Sequence, residues 1–195
     1  MRNSTSIISA LLICFILSSC SSNHSGDVYF LHTAVFGKTE TGKLQITAIL
    51  EKLSSDDKKD NYFTVVENGK DIAEITGKIS DTYKECYFAT SEVYAFDSSL
   101  SSEDLKVIAR AICDSNDYPS KSLAYYFNGT DTKSFCELIK SDDDMKKLLS
   151  ELSDKKVNVI HFLCSIYNGT KTELPSLTIR DGRIKRTDNK IFNKR

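Results

Sequence analysis

Short apolar runs, each stopped within about ten residues by a turn signal, limit what this chain can fold into. Asn68-Gly69, Asn128-Gly129, Asn168-Gly169 and Asp181-Gly182 each close a run rich in β-branched or aromatic residues. Residues 28–36, VYFLHTAVF, are apolar nearly throughout and predict a largely buried strand. Gly37 to Gly42 is expected to be a loop. Strands are also expected at Tyr62–Val66, at residues 71–80 after the Asn-Gly turn, at Cys86–Thr90, Glu92–Phe96 and Leu123–Phe127. Val157–Cys164 is apolar on both faces and predicts a central strand. Residues 176–180 and 183–187 predict a hairpin around Asp181-Gly182.

Helical spacing is clearest after Ser101. Asp104 stands in capping-box position, and Leu105, Ile108 and Ile112 make one apolar face. Leu44–Leu53 reads as helix through Ile46, Ile49, Leu50 and Leu53, although Leu44, Ile46, Ala48 and Leu50 also alternate. Phe135, Leu138 and Ile139 predict a short helix. Ser141 is placed to cap another, with acidic residues 142–144 at the positive end of its dipole. Together these elements predict one α+β domain over residues 28–187, with a mixed or mainly antiparallel sheet and three to four helices. Residues 188–195 are expected to be a basic tail. Residues 54–60, SSDDKKD, are a solvated connector, and no internal repeat divides the chain.

With 26 Lys+Arg against 27 Asp+Glu, the chain lacks the basic excess of a general nucleic-acid binder. Its 40% hydrophobic content excludes wholesale disorder.

Residues 1–20, MRNSTSIISALLICFILSSC, put one basic residue before an apolar run from Ile7 to Leu17. That run has the length of a signal-peptide core and falls short of the roughly 20 residues that cross a bilayer. It ends in Leu17-Ser18-Ser19-Cys20, which resembles the lipobox of bacterial lipoproteins. The resemblance implies cleavage after Ser19 and attachment of palmitate-class acyl chains at Cys20. Residues 1–19 are then a signal peptide and residues 20–27 a lipidated tether. Each buried CH₂ of such chains contributes about 0.8 kcal/mol. Ser21, standing where an Asp would signal inner-membrane retention, implies the outer membrane. A plain secretory signal is the alternative. The sequons at Asn23, Asn128 and Asn168 keep open a eukaryotic secreted glycoprotein.

Cleavage removes Cys14 and lipidation occupies Cys20. Cys86, Cys113, Cys136 and Cys164 remain, an even number that suits two disulfides in an exported chain. The expected pairs are Cys86 with Cys164, on apparent strands, and Cys113 with Cys136, on apparent helices. No CxxC spacing supports a zinc ribbon or a dithiol redox centre.

Gly37-Lys-Thr-Glu-Thr-Gly42-Lys43 has the spacing of a phosphate-binding loop, but Leu44 replaces the hydroxyl residue that would hold Mg²⁺. It is read as a glycine-punctuated loop. Leu174-Pro175 through Ile184 resembles the proline-led hairpin of thioredoxin-like folds, without their cysteine pair. His24 lies in the tether, while His32 and His161 are assigned to strands as structural residues. No HExxH, GxSxG or paired-carboxylate motif occurs, so no catalytic residue, metal ligand or cofactor is expected.

The sequence therefore favours a membrane-anchored bacterial lipoprotein. Its non-catalytic periplasmic or surface domain would bind another protein, in an assembly, exclusion or immunity role. The alternative is a tethered periplasmic hydrolase whose site is assembled from residues distant in sequence.

Overall fold

A computed structural model describes residues 27–53, 62–114, 121–140 and 156–193. The expected helix after Ser141 and the connector at 54–60 lie outside the described residues, as do His24, Asn23 and Cys20. The chain forms a single α+β domain, and the described residues make one mixed eight-stranded sheet and four α-helices. The strands are β1 (Val28–Lys38), β2 (Leu44–Leu53), β3 (Tyr62–Gly69), β4 (Cys86–Tyr87), β5 (Val93–Asp97), β6 (Leu123–Phe127), β7 (Thr172–Arg180) and β8 (Arg183–Phe192). The helices are α1 (Ile72–Thr82), α2 (Ser102–Cys113), α3 (Thr132–Glu137) and α4 (Val159–Tyr167). The strand order is β3-β2-β1-β5-β6-β7-β8, with the short β4 also beside β1. β1, β5, β6 and β7 run parallel. The β1-β2-β3 meander and the β7-β8 hairpin add antiparallel flanks.

The steps β5-α2-β6 and β6-α4-β7 move the same way across the sheet, so crossovers of one hand place their helices on one face. There Ile75 and Ile79 of α1, Leu105 and Ile108 of α2, and Phe162 and Leu163 of α4 pack on Phe36, Ile46, Leu50, Tyr94 and Phe96. The opposite face carries Val35, Ile49, Ala95, Tyr125, Phe127 and Leu177 under α3, which contributes Phe135 and Cys136. Buried Thr47 and Thr132 share a hydrogen bond of 2.6 Å, and Thr64 Oγ1 donates to Glu137 at 2.7 Å, so α3 is fastened to both β2 and β3.

Three expected elements change type. Residues 44–53 are strand β2, not helix. Leu44, Ile46, Ala48 and Leu50 face one core while Ile49 faces the other, so burial on both sides erased the polar alternation. Residues 71–80 are not a strand, because α1 starts at Ile72. Asp71 accepts from the Glu74 backbone N–H at 2.8 Å, and the Glu74 carboxylate accepts from that of Lys70 at 3.1 Å. This reciprocal capping starts a helix immediately after the Asn68-Gly69 turn. Val157–Cys164 is not a central strand. The Asn158 side chain accepts from Ile160 and His161 N–H at 2.9 and 3.2 Å and begins α4, whose Val159, Phe162, Leu163 and Ile166 follow helical spacing.

Smaller differences follow. Cys86–Thr90 is a two-residue strand and then a 3-10 turn. Gly37 and Lys38 belong to β1, not to the loop after it. β8 runs on through Phe192, into the residues assigned to a basic tail, because Phe192 packs edge-on to Phe162 at 5.2 Å. Pro175, which lacks an N–H, sits at the register shift between Leu174 and Ser176 of β7.

The expected cap of α2 is present. Ser101 Oγ accepts from the Asp104 N–H at 3.2 Å, and Asp104 accepts from the Ser101 N–H at 2.9 Å. Lys38 Nζ adds 3.0 and 3.1 Å contacts to both Asp104 oxygens, joining β1 to α2. Burial works against the Asp104 charge, but the Ser101 hydrogen bonds and Lys38 outweigh it and hold the carboxyl below its usual range. That contribution is present above the unfolded carboxyl's pKa and disappears as pH falls through the folded one. Asp104→Ala should therefore cost about 1–2 kcal/mol at neutral pH, and the deficit should shrink in acid. Urea titrations of both proteins at neutral and acid pH check this. An undiminished acid deficit would contradict the assignment.

Candidate functional site

The carboxyl ends of the parallel strands are where an α/β sheet ordinarily presents its chemistry. At this end Asp97 closes β5 and is 2% exposed. Burial pushes its carboxyl up, while hydrogen bonds from Ser99 pull it partly back. The Ser99 N–H and Oγ donate to Asp97 Oδ1 at 2.9 and 2.5 Å, and Ser99 Oγ accepts from the Lys38 N–H at 2.7 Å. Ser99 therefore spends its hydroxyl in a structural chain from β1 to β5. Gly37 permits this arrangement, since a β-carbon there would lie 2.1 Å from Asp97 Oδ2.

The residues with phosphate-loop spacing form the turn of the β1-β2 hairpin. Gly42 has φ +81°, Lys43 is exposed, and Gly37 pairs with Gln45. No helix follows to offer N–H groups to a phosphate. His32 sits at the bulge of β1, its ring edge-on to Tyr62 at 5.0 Å. His161 is exposed on α4, not in a strand. Asn128 and Asn168 occupy the turn positions expected of them. Among the described residues no three His, Cys, Asp or Glu side chains gather as a metal site.

The cysteines fall into a different arrangement from the expected pairs. Cys136 is buried under the sheet on α3, its Sγ 3.8 Å from the Thr47 carbonyl, and burial raises its thiol pKa strongly. Cys113 ends α2 on the opposite face, so the sheet separates the two. Cys86 is half-buried in β4, where burial raises its thiol to about 11. Cys164 of α4 lies instead beside Cys113, with the sulfurs 3.9 Å apart and both residues exposed. All four are free thiols in the structure. The β pattern of Val157–Cys164 had disguised the helix that brings Cys164 to α2.

Two polar hollows lie along β8, the last strand of the sheet. A hollow of 840 Å³ is lined by Arg180, Arg186, Thr187, Asp188, Asn189 and Ile191. A second, of 320 Å³, shares Arg180 and Asp188 and reaches across to Tyr126, Ser176 and Lys190. Lys190 Nζ lies 5.1 Å from the centre of the Tyr126 ring, a cation–π distance. β8 ends the sheet, so its outer N–H and C=O groups meet no further strand among the described residues. Arg183, Lys185, Arg186 and Lys190 run along it against Asp188. The basic composition was legible in the sequence. So was the strand over residues 183–187, whereas its continuation through residues 188–192 was not, because those residues alternate poorly.

No described helix is long and apolar enough to cross a membrane. No protein-family model matches the chain, and no curated protein matches it in sequence. A solved structure of the GerBC protein is similar over 87% of this chain and 50% of its own, at 12% identity and a TM-score of 0.42. The chain thus spans half the length of that structure, and likeness at this level carries no argument about function.

Proposed function

We propose that this chain is a lipoprotein of the bacterial cell envelope, anchored through Cys20, whose α+β domain binds another protein along β8. The observation that carries the binding role is the open, basic edge of β8. Along this ten-residue strand alternate residues turn their backbone N–H and C=O groups away from β7, where no further strand meets them among the described residues, and cations and two polar hollows flank them. An extended acidic segment of a partner would satisfy the backbone by strand addition and the cations by charge. The same charges keep two copies of this edge apart, which blocks self-pairing. The lipobox supports the anchor, and Asp27, where the described fold begins, follows Cys20 closely enough to hold the domain near a membrane surface. A domain so placed acts as a docking platform. Assembly, exclusion and immunity roles all use that plan, and the outer membrane is the proposed location.

The experiment has two arms. Cys20→Ser should abolish acyl labelling and leave residues 1–19 attached as unprocessed precursor. A photo-crosslinker at Arg183 or Asn189 should capture one partner, while one at exposed Val107 of α2 should not. Arg183→Glu with Lys185→Glu should weaken that partner's binding by roughly 10-fold or more, with a marked dependence on salt. Acyl labelling that survives Cys20→Ser, or normal cleavage without any acyl label in the parent chain, defeats the anchor. Crosslinks at Val107 in preference to β8 defeat the docking edge.

A further inference from the structure

We infer that Cys113 and Cys164 are a dithiol pair that closes to a disulfide under oxidising conditions, stapling α2 to α4. The two sulfurs stand 3.9 Å apart across the contact between these helices. A disulfide needs about 2.0 Å, which rotation of the two side chains about Cα–Cβ supplies with roughly 1 Å of travel at each sulfur. Cys113 is the last residue of α2, where the backbone has latitude, and Cys164 lies within α4. Both are exposed, so an oxidant reaches them. Cys86 and Cys136 are not placed to compete, one lying in β4 and the other beneath the opposite face of the sheet.

The step balances through thiol–disulfide exchange with an oxidised thiol carrier. One cysteine, as thiolate, attacks a carrier sulfur, forming a mixed disulfide and releasing a carrier thiolate. The second attacks the mixed disulfide and releases the other carrier thiolate. The protein loses two protons and two electrons, and the carrier gains both. Closing the bridge ties residues 51 positions apart, with β6 and α3 between them, and so removes much of the unfolded chain's freedom. It locks together the two helices that cover β5 and β6. In the cell the inference rests on the export reading, since only an oxidising compartment keeps such a bridge closed.

The purified full-length protein, oxidised with excess oxidised glutathione, alkylated under denaturing conditions and mapped without reduction, tests the pairing. The expected product is one linked peptide pair containing Cys113 and Cys164 within a single chain, with Cys86 and Cys136 alkylated. The oxidised form should melt roughly 10 °C above the reduced form. Cys113→Ser and Cys164→Ser should each abolish that difference, and Cys86→Ser should keep it. Alkylation of both Cys113 and Cys164 after oxidation overturns the inference, as does their capture in links to Cys86 or between chains. The same mapping on acid-quenched cells separates the two claims. Open thiols there, with a bridge that closes in the purified chain, sustain the pairing and count against export.

Discussion

Phe162→Ala should lower the melting temperature by roughly 10–15 °C, which corresponds to a loss of about 4 kcal/mol. Phe162 is fully buried and joins three elements. Its ring lies 5.2 Å from Phe96 in the centre of the sheet and 5.2 Å from Phe192 at the end of β8. Phe96 in turn stacks on Phe36 at 5.5 Å. Truncation leaves a cavity bounded by rigid aromatic rings on both sides, which cannot collapse to fill it. Phe162→Leu, which keeps most of the volume, should recover more than half of the loss. Calorimetry on the three proteins decides the matter, and a fall of only a few degrees for the alanine variant would place Phe162 outside the core.

Gly37→Ala should cost about 3 kcal/mol, the sum of an overpacked methyl and a displaced buried carboxylate. A β-carbon there meets Asp97 Oδ2 at 2.1 Å and Asp97 Cγ at 2.7 Å, and Ser99 holds the other oxygen. The whole carboxyl must leave its site, which breaks the chain from the Lys38 N–H through Ser99 to Asp97. The two residues should therefore couple. In an Asp97→Ala background the same Gly37→Ala change should cost less than about 1 kcal/mol. Equal costs in both backgrounds, measured by urea denaturation, would show that the strain lies elsewhere.

Much of this architecture is legible in the residues, and the exceptions share a physical origin. The α2 capping box at Ser101 and Asp104, the β6 strand ending at Asn128, and the hairpin around Asp181-Gly182 are all local signals that the structure keeps. α4 misled because its exposed face carries Cys164 and Tyr167, and β2 because it is buried on both sides. β2 is covered on one face by α1 and on the other by α3, so Ile46 and Ile49 are both buried. Periodicity reports one wet face, and a segment without one loses its period. For α1 and α4 a usable signal was present all the same. Asp71 with Glu74, and Asn158 before an apolar run, mark helix starts more reliably than the runs themselves mark helices. The nearness of Cys113 to Cys164 was not legible at all. It depends on α2 and α4 lying side by side over β5 and β6, a tertiary fact with no local trace.

The last two strands pair with each other from Thr172 to Arg180, yet β7 meets β6 only at Tyr126–Ser176 and Phe127–Leu177. The terminal ribbon is thus sewn to the sheet by a short seam, with Phe192 pressed against both Phe162 and Tyr126 farther along. Anything that grips the outer border pulls on that seam before it strains the rest. Tension there passes through Tyr126 into β6, so an occupied border braces this short seam against local opening.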